Sequence, residues 1–273
     1  MDLLNKQNDI KSLKVQATAR LFYNKADTID TIQWAIVILL PLLKFFFLQS
    51  VIVNYILIIW FFISFILDYY IDKYTDTGAE LKKNFDYYVY GWTAEMSKKL
   101  LHVSEICTAK NKDFFENQIS NSGTDKQKGV KDWYTTVSKD MSPNEAIKSA
   151  MQENIYFDKK INNSAYWCII FFVGFLLLAL SISGLTFYEV LFGLFVTFAS
   201  FTKKLYSTLV NIKKVSIINN NIENLLFNEN NNLILLQSEI DKKRSIPRTS
   251  NKLIYYFQTK NSHKEVSVFK ASK

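Results

Sequence analysis

Glycine and proline are scarce in this chain, at 7 and 3 residues of 273, and cysteine and histidine occur only twice each. So little glycine and proline disfavours turn-rich β architecture and points to helices with few breaks. Cys107 and Cys168 lie in different regions, one polar and one apolar, so they supply neither a disulfide framework nor metal-ligand spacing. His102 and His263 are remote from each other, and the spacing of His102 and Cys107 matches no metal site. A Gly-rich phosphate loop, a nucleophile elbow and a paired intramembrane His or Asp are all missing. The sequence therefore predicts no catalytic residue, no metal and no cofactor, and an enzyme is not expected. No apolar stretch precedes residue 29, so a cleavable signal peptide is not expected either, and the first span must act as its own insertion signal.

What the chain has instead is two long apolar blocks, 29–71 and 164–202, set in a remainder rich in Lys, Asn, Asp and Glu. A mean hydropathy near zero conceals that partition. A soluble chain spreads its apolar residues periodically, whereas a bilayer requires about 20 in a row for each helical span. Each block is long enough for two spans, with turns near Gln49–Ser50 and Ser183–Gly184. Pro41 and Lys44 fall late in the first span, where Lys44 can snorkel outward.

Lys and Arg fix the orientation. Residues 1–31 carry 5 of them, 72–160 carry 14 and 203–273 carry 13, which leaves only Lys44 of the 33. The positive-inside rule then places both termini and the central region in the cytoplasm. The reading is an all-α integral membrane protein with four transmembrane helices arranged as two hairpins, plus a helical cytoplasmic domain. Its segments are a cytoplasmic N-terminal helix (1–28), a first transmembrane hairpin (29–71), a cytoplasmic helical region (72–163), a second hairpin (164–204), and a cytoplasmic helical stalk with a basic tail (205–273).

Within the central region, Leu81, Phe85, Tyr88 and Trp92 share one helical face, 121–129 reads as a loop, and a further helix opens at Ser142. There Ser142 is the N-cap, Pro143 takes the first helical position and Glu145 closes a capping box. After the fourth span the chain is expected to stay helical. Eight of twelve seam positions from 205 to 243 are apolar, interrupted by Asn219 and Glu229 among others. An amphipathic helix packed on the central region suits that imperfect seam better than a coiled coil.

Three groups of residues are candidates for function. In the fourth span Thr186, Glu189, Gly193, Thr197, Ser200 and Lys204 fall within roughly 80° of one another at 3.6 residues per turn. Such a stripe either lines a water path or lets helices approach closely through small residues. In the second span Asn54 is deep enough to want an interhelical partner, and structural glue is its simplest use. In the tail, 13 basic residues against 5 acidic account for the whole net charge of +8. Its cluster of Lys242, Lys243, Arg244, Arg248 and Lys252 suits anionic lipid headgroups or a phosphate-bearing ligand.

The order of these elements resembles the SMODS-associated four-transmembrane effector family of bacterial anti-phage systems, over nearly the whole chain. Gln7, Ala19, Arg20, Tyr23 and Ala26 look like that family's opening helix, and Phe85, Asp86 and Trp92 like its Phe-Asp…Trp segment. Trp133, Tyr134, Pro143, Gln152 and Asn154 resemble its Trp-Tyr…Pro…Gln-x-Asn segment, and Arg244 and Pro247 its Arg…Pro element. Tyr90-Gly91 departs from the pattern, and the residues beyond Trp92 match poorly.

The resemblance implies an inner-membrane effector, encoded beside a nucleotidyltransferase, that forms pores or disrupts the membrane when a cyclic oligonucleotide appears. Its implied partners are the lipid bilayer, further copies of itself and the cyclic oligonucleotide, with no DNA or RNA. Four short helices with so few polar residues cannot enclose an aqueous path alone, so permeability requires self-assembly. Trp133, Tyr134, Arg244 and Arg248 combine stacking surface and positive charge and are the expected ligand contacts. Core packing is the competing use of Trp133 and Tyr134. The competing class for the protein is a constitutive channel, transporter or structural membrane protein without nucleotide sensing.

Overall fold

The computed structural model describes residues 2–47, 50–123, 125–152, 167, 170, 171, 174, 194–227 and 232–248. Among them regular structure is helical, with a single isolated bridge between Ser122 and Lys131. The helices are α1 (Asp2–Gln7), α2 (Ile10–Phe46), α3 (Val51–Val89), α4 (Lys98–Lys110), α5 (Lys112–Ser120), α6 (143–152), α7 (Leu194–Phe227) and α8 (Leu233–Arg244).

α2 and α3 are continuous over 37 and 39 residues. At 1.5 Å per residue each is about 55–59 Å long, well beyond the roughly 30 Å of a hydrocarbon core. Two helices among the described residues, Ile10–Lys44 and Val51–Val89, are long and apolar enough to cross a membrane. α2 stops at Phe46 and α3 starts at Val51, which brackets the expected turn at Gln49–Ser50. Pro41 sits inside α2, where its ring nitrogen cannot donate to the Val37 carbonyl. Most of the second apolar block, with its turn at Ser183–Gly184, lies outside the described residues, as does the tail beyond Arg248.

The chain forms two compact units. The first comprises the described residues of Met1–Lys25, Lys73–Tyr156 and Ile218–Ile246, and the second those of Ala26–Asp72, Phe157–Ile217 and Pro247–Lys273. α2, α3 and α7 each contribute one segment to both units.

In the first unit, Leu81, Phe85 and Val89 recur every four residues along α3 and are buried against Val15 and Ala19 of α2. Ala146, Ile147, Ala150 and Met151 of α6 join the same cluster, as do Ile222 of α7 and Leu236 and Ile240 of α8. A smaller cluster of Leu13, Ala17, Phe115 and Val130 packs beside the loop over 121–129. Gly78 allows close approach of α2 and α3 here, because a Cβ at that position would stand 3.1 Å from the Tyr23 ring.

α3 ends three residues before Trp92, so Trp92 does not continue the Leu81–Phe85–Tyr88 face. Gly91 takes φ +78°, a left-handed conformation that glycine adopts without penalty. Its amide bonds the Tyr88 carbonyl at 3.1 Å and the Trp92 amide bonds the Tyr87 carbonyl at 2.9 Å, so two orphan carbonyls are satisfied. The Trp92 ring then packs on Tyr87, with centroids 5.4 Å apart. The Tyr90-Gly91 departure noted in the sequence is thus the stop signal of the helix.

α6 opens with the capping box read from the sequence. The Ser142 amide donates to Glu145 Oε2 at 3.0 Å, and the Glu145 amide donates back to Ser142 Oγ at 3.4 Å. The helix after the fourth span is not continuous as expected, because α7 ends at Phe227 and α8 begins anew at Leu233. Asn232 caps α8, its Oδ1 accepting from the Ile234 and Leu235 amides at 3.1 and 3.2 Å. Restarting the helix lets both α7 and α8 bury apolar residues in the first unit's core, the packed arrangement preferred above over a coiled coil.

Candidate functional site

Two polar assemblies are buried in this helical framework, one in each unit. The first unit centres on Asp86 of α3, which is 1% exposed. Its Oδ1 accepts from the Tyr134 hydroxyl at 2.6 Å, and its Oδ2 accepts from Arg244 of α8 at 2.5 Å and from Gln237 of α8 at 3.1 Å. The Tyr134 hydroxyl also lies 3.1 Å from that of Tyr90. Around this centre, the Tyr134 amide donates to Gln7 Oε1 at 3.0 Å, and the Tyr23 hydroxyl donates to the Arg244 carbonyl at 3.2 Å. Arg20 staples the 121–129 loop by donating to Gln118 Oε1 and to the carbonyls of Lys128 and Gly129.

Burial, with Asp86 close by, holds the Tyr90 and Tyr134 phenols well above their ordinary range. Burial also raises the Asp241 carboxyl, against the pull of Arg244. For Arg244 burial opposes the charge, but Asp86, Tyr134 and Asp241 outweigh it and hold the guanidinium above its ordinary value. Residues that carried the family resemblance, namely Gln7, Arg20, Tyr23, Asp86, Tyr134 and Arg244, are therefore the polar interior of one unit. No local spacing signals this, since Asp86 and Arg244 stand 158 residues apart.

This placement bears on the four expected ligand contacts. Tyr134 and Arg244 are brought together, through Asp86, in the interior. Trp133 is half-buried, with the Lys82 ammonium 3.7 Å from its ring centroid. Arg248 belongs to the other unit and is exposed. A cleft of about 410 Å³ in the first unit lies between α3 and α8, where Asp76, Glu80 and Asp241 face Lys83 and Lys242. Its carboxylates outnumber its cations, which makes it a poor receptor for phosphate.

The second unit holds a chain of bonds across α2, α3 and α7. Lys204 of α7 pairs with Asp30 of α2 and donates to Gln33 Oε1 at 2.6 Å. Gln33 Nε2 donates onward to Asp68 Oδ1 of α3 at 2.8 Å and to the Ser64 carbonyl at 3.2 Å. Lys203 completes the chain, reaching Asp68 Oδ2 at 2.7 Å and Ser64 Oγ at 2.9 Å, with its ammonium 3.5 Å from the Phe65 ring centroid. Gln33 and Ser64 are each 1% exposed. A cavity of about 180 Å³ adjoins the cluster, lined in part by Asp30, Asp68, Asp72, Lys204 and Arg248.

Of the stripe read from the fourth span, Ser200 and Lys204 are buried in this unit. Thr197 falls within α7, and Thr186, Glu189 and Gly193 lie outside the described residues. Asn54 is exposed on α3 and takes no part in the cluster. The sequence reading missed Asp30 and Gln33, although a signal existed. Both stand where the apolar run of α2 begins, and Asp68 and Lys203 stand where those of α3 and α7 end.

Apolar side chains of α2 and α3 lie outermost in the second unit. Leu39, Leu42, Ile52, Ile59, Phe62 and Ile66 are each at least half exposed. So many exposed apolar side chains on two long helices are what a lipid-facing helix pair presents. No curated protein and no solved structure matches the chain. A family model described as the SMODS-associating 4TM effector domain matches residues 1–256, nearly the whole length. Two apolar helices and this match place the protein in the membrane, and the chain belongs to the SMODS-associating 4TM effector domain family.

Proposed function

We propose that this protein is a pore-forming or membrane-disrupting effector of the bacterial inner membrane, gated by a cyclic oligonucleotide in anti-phage defence. The observation that carries the reading is membership of a family associated, as effectors, with SMODS cyclic-oligonucleotide defence systems. The apolar exterior of α2 and α3 supports the membrane half of it. The four spans of the family's name are assigned to two hairpins, 29–71 and 164–204, with both termini and the central region cytoplasmic. Copies assemble to enclose a path that one chain cannot, and the nucleotide acts by binding the assembled form better. Trp133 in the first unit, with a stacking face, and Arg248 in the second, with charge for phosphate, are each proposed as a ligand contact within its own unit.

Purified protein in liposomes should release a trapped dye only when a cyclic oligonucleotide is added, and more steeply at higher protein density. A panel of cyclic di- and trinucleotides identifies the activator. Equal leakage without nucleotide would favour the constitutive channel, and an inserted protein silent to the whole panel would remove nucleotide gating.

A further inference from the structure

Ser200, Lys204 and Thr208 recur every four residues on one face of α7, and each is less than a tenth exposed. That face is turned toward α2 and α3 of the same chain, where Asp30, Gln33 and Asp68 occupy the polar atoms of Lys203 and Lys204. A side chain buried inside one chain cannot line a water path between chains. For this stripe to meet water, α7 must part from α2 and α3, and two ion pairs have to break.

We propose that the Asp30–Lys204 and Asp68–Lys203 pairs form a latch that holds the resting state closed. This rests on the effector reading above and assigns its resting control to these four charges. The physical basis is asymmetric. Removing Asp30 leaves Lys204, 8% exposed, buried without compensation, whereas a parted arrangement lets it meet water; Lys203, 21% exposed, carries a smaller share of the same penalty. Neutralising either carboxylate therefore penalises the closed form alone and shifts the population toward the open one. The latch draws on charge pairing rather than residue identity, so exchanging the two members of a pair preserves it.

The test compares Asp30→Asn, Asp68→Asn and the exchange Asp68→Lys with Lys203→Asp, in liposomes and without nucleotide. Helix parting is read separately by a short bifunctional maleimide joining Trp34→Cys and Phe201→Cys, whose native rings lie 6.3 Å apart, in a background lacking Cys107 and Cys168. Asp30→Asn should release dye about tenfold faster or more than the unaltered chain and lose cross-linking, and Asp68→Asn, whose pair is more exposed, should do both to a smaller extent. The exchange should be quiet and cross-linked. Single variants as quiet and as cross-linked as the parent would overturn the latch. So would an exchange variant that inserts yet leaks or fails to cross-link, which decides the matter should the single variants not accumulate. Cross-linking lost without leakage from any variant, with or without nucleotide, would uphold the latch and sink the pore.

Discussion

Arg244 donates to a carboxylate that is 1% exposed, whereas Arg248, four residues later, lies on the surface. The two arginines look equivalent in a basic tail and differ in what their loss costs. Arg244→Ala leaves Asp86 buried with only Tyr134 and Gln237 as donors, which should cost about 3–5 kcal/mol of stability. Arg248→Ala should stay within about 0.5 kcal/mol and show itself instead as a higher nucleotide requirement in the dye assay. Thermal unfolding in detergent separates them. An Arg244→Ala protein as stable as the parent would return Arg244 to the ligand site and remove Asp86 as its structural partner. The sequence marked Arg244 as cationic and accessible because composition reports charge but not the carboxylate that a fold brings to it.

At the scale of elements, what was legible depended on whether the signal is local. The apolar runs gave α2 and α3, and Ser142 with Glu145 gave the start of α6, because hydropathy and capping act within a few residues. The break between α7 and α8 was not legible, because Leu226, Leu233, Leu236 and Ile240 keep the apolar spacing running through it. Only the tertiary core, which takes Ile222 and Ile240 from two separate helices, decides for a break. Asn232 is the local residue that makes the restart favourable. Asn232→Ala removes the acceptor for two α8 amides and should destabilise the first unit by about 1 kcal/mol. Denaturant titration of the full chain, followed by Trp fluorescence, would register it as an earlier midpoint with an unchanged slope. No change in midpoint would mean that packing alone sets where α8 begins.

For the whole molecule, the apolar exterior of the second unit suits lipid, and the distribution of Lys and Arg predicts which way round it lies. Cysteine labelling in intact cells tests the orientation in a background lacking Cys107 and Cys168. Asn5→Cys should resist an impermeant reagent and Ser50→Cys, between α2 and α3, should react with it. The opposite pattern would invert the topology and put the proposed ligand contacts on the wrong side of the membrane for a cytoplasmic messenger. The geometry of the second unit was only half visible in advance, since hydropathy shows where a span ends but not which neighbouring span answers its terminal charge.

That answer also arrives late. Asp30 finds its counter-ion 174 residues further along the chain, in a helix the ribosome has yet to make when the first hairpin is ready to insert. Lys204 comes 133 residues after the end of the first apolar block at residue 71, so at about 5–20 residues per second the delay is roughly 7–27 s. Throughout it Asp30 and Asp68 must keep to the hydrated edge of the bilayer, because an unpaired carboxylate drawn deeper is strongly disfavoured. The nascent hairpin is thereby held at a fixed depth, and a ribosome that stalls before α7 leaves behind an insertion intermediate bearing two uncompensated negative charges. Whatever membrane quality control recognises such charges would find the unfinished chain marked and the completed one silent.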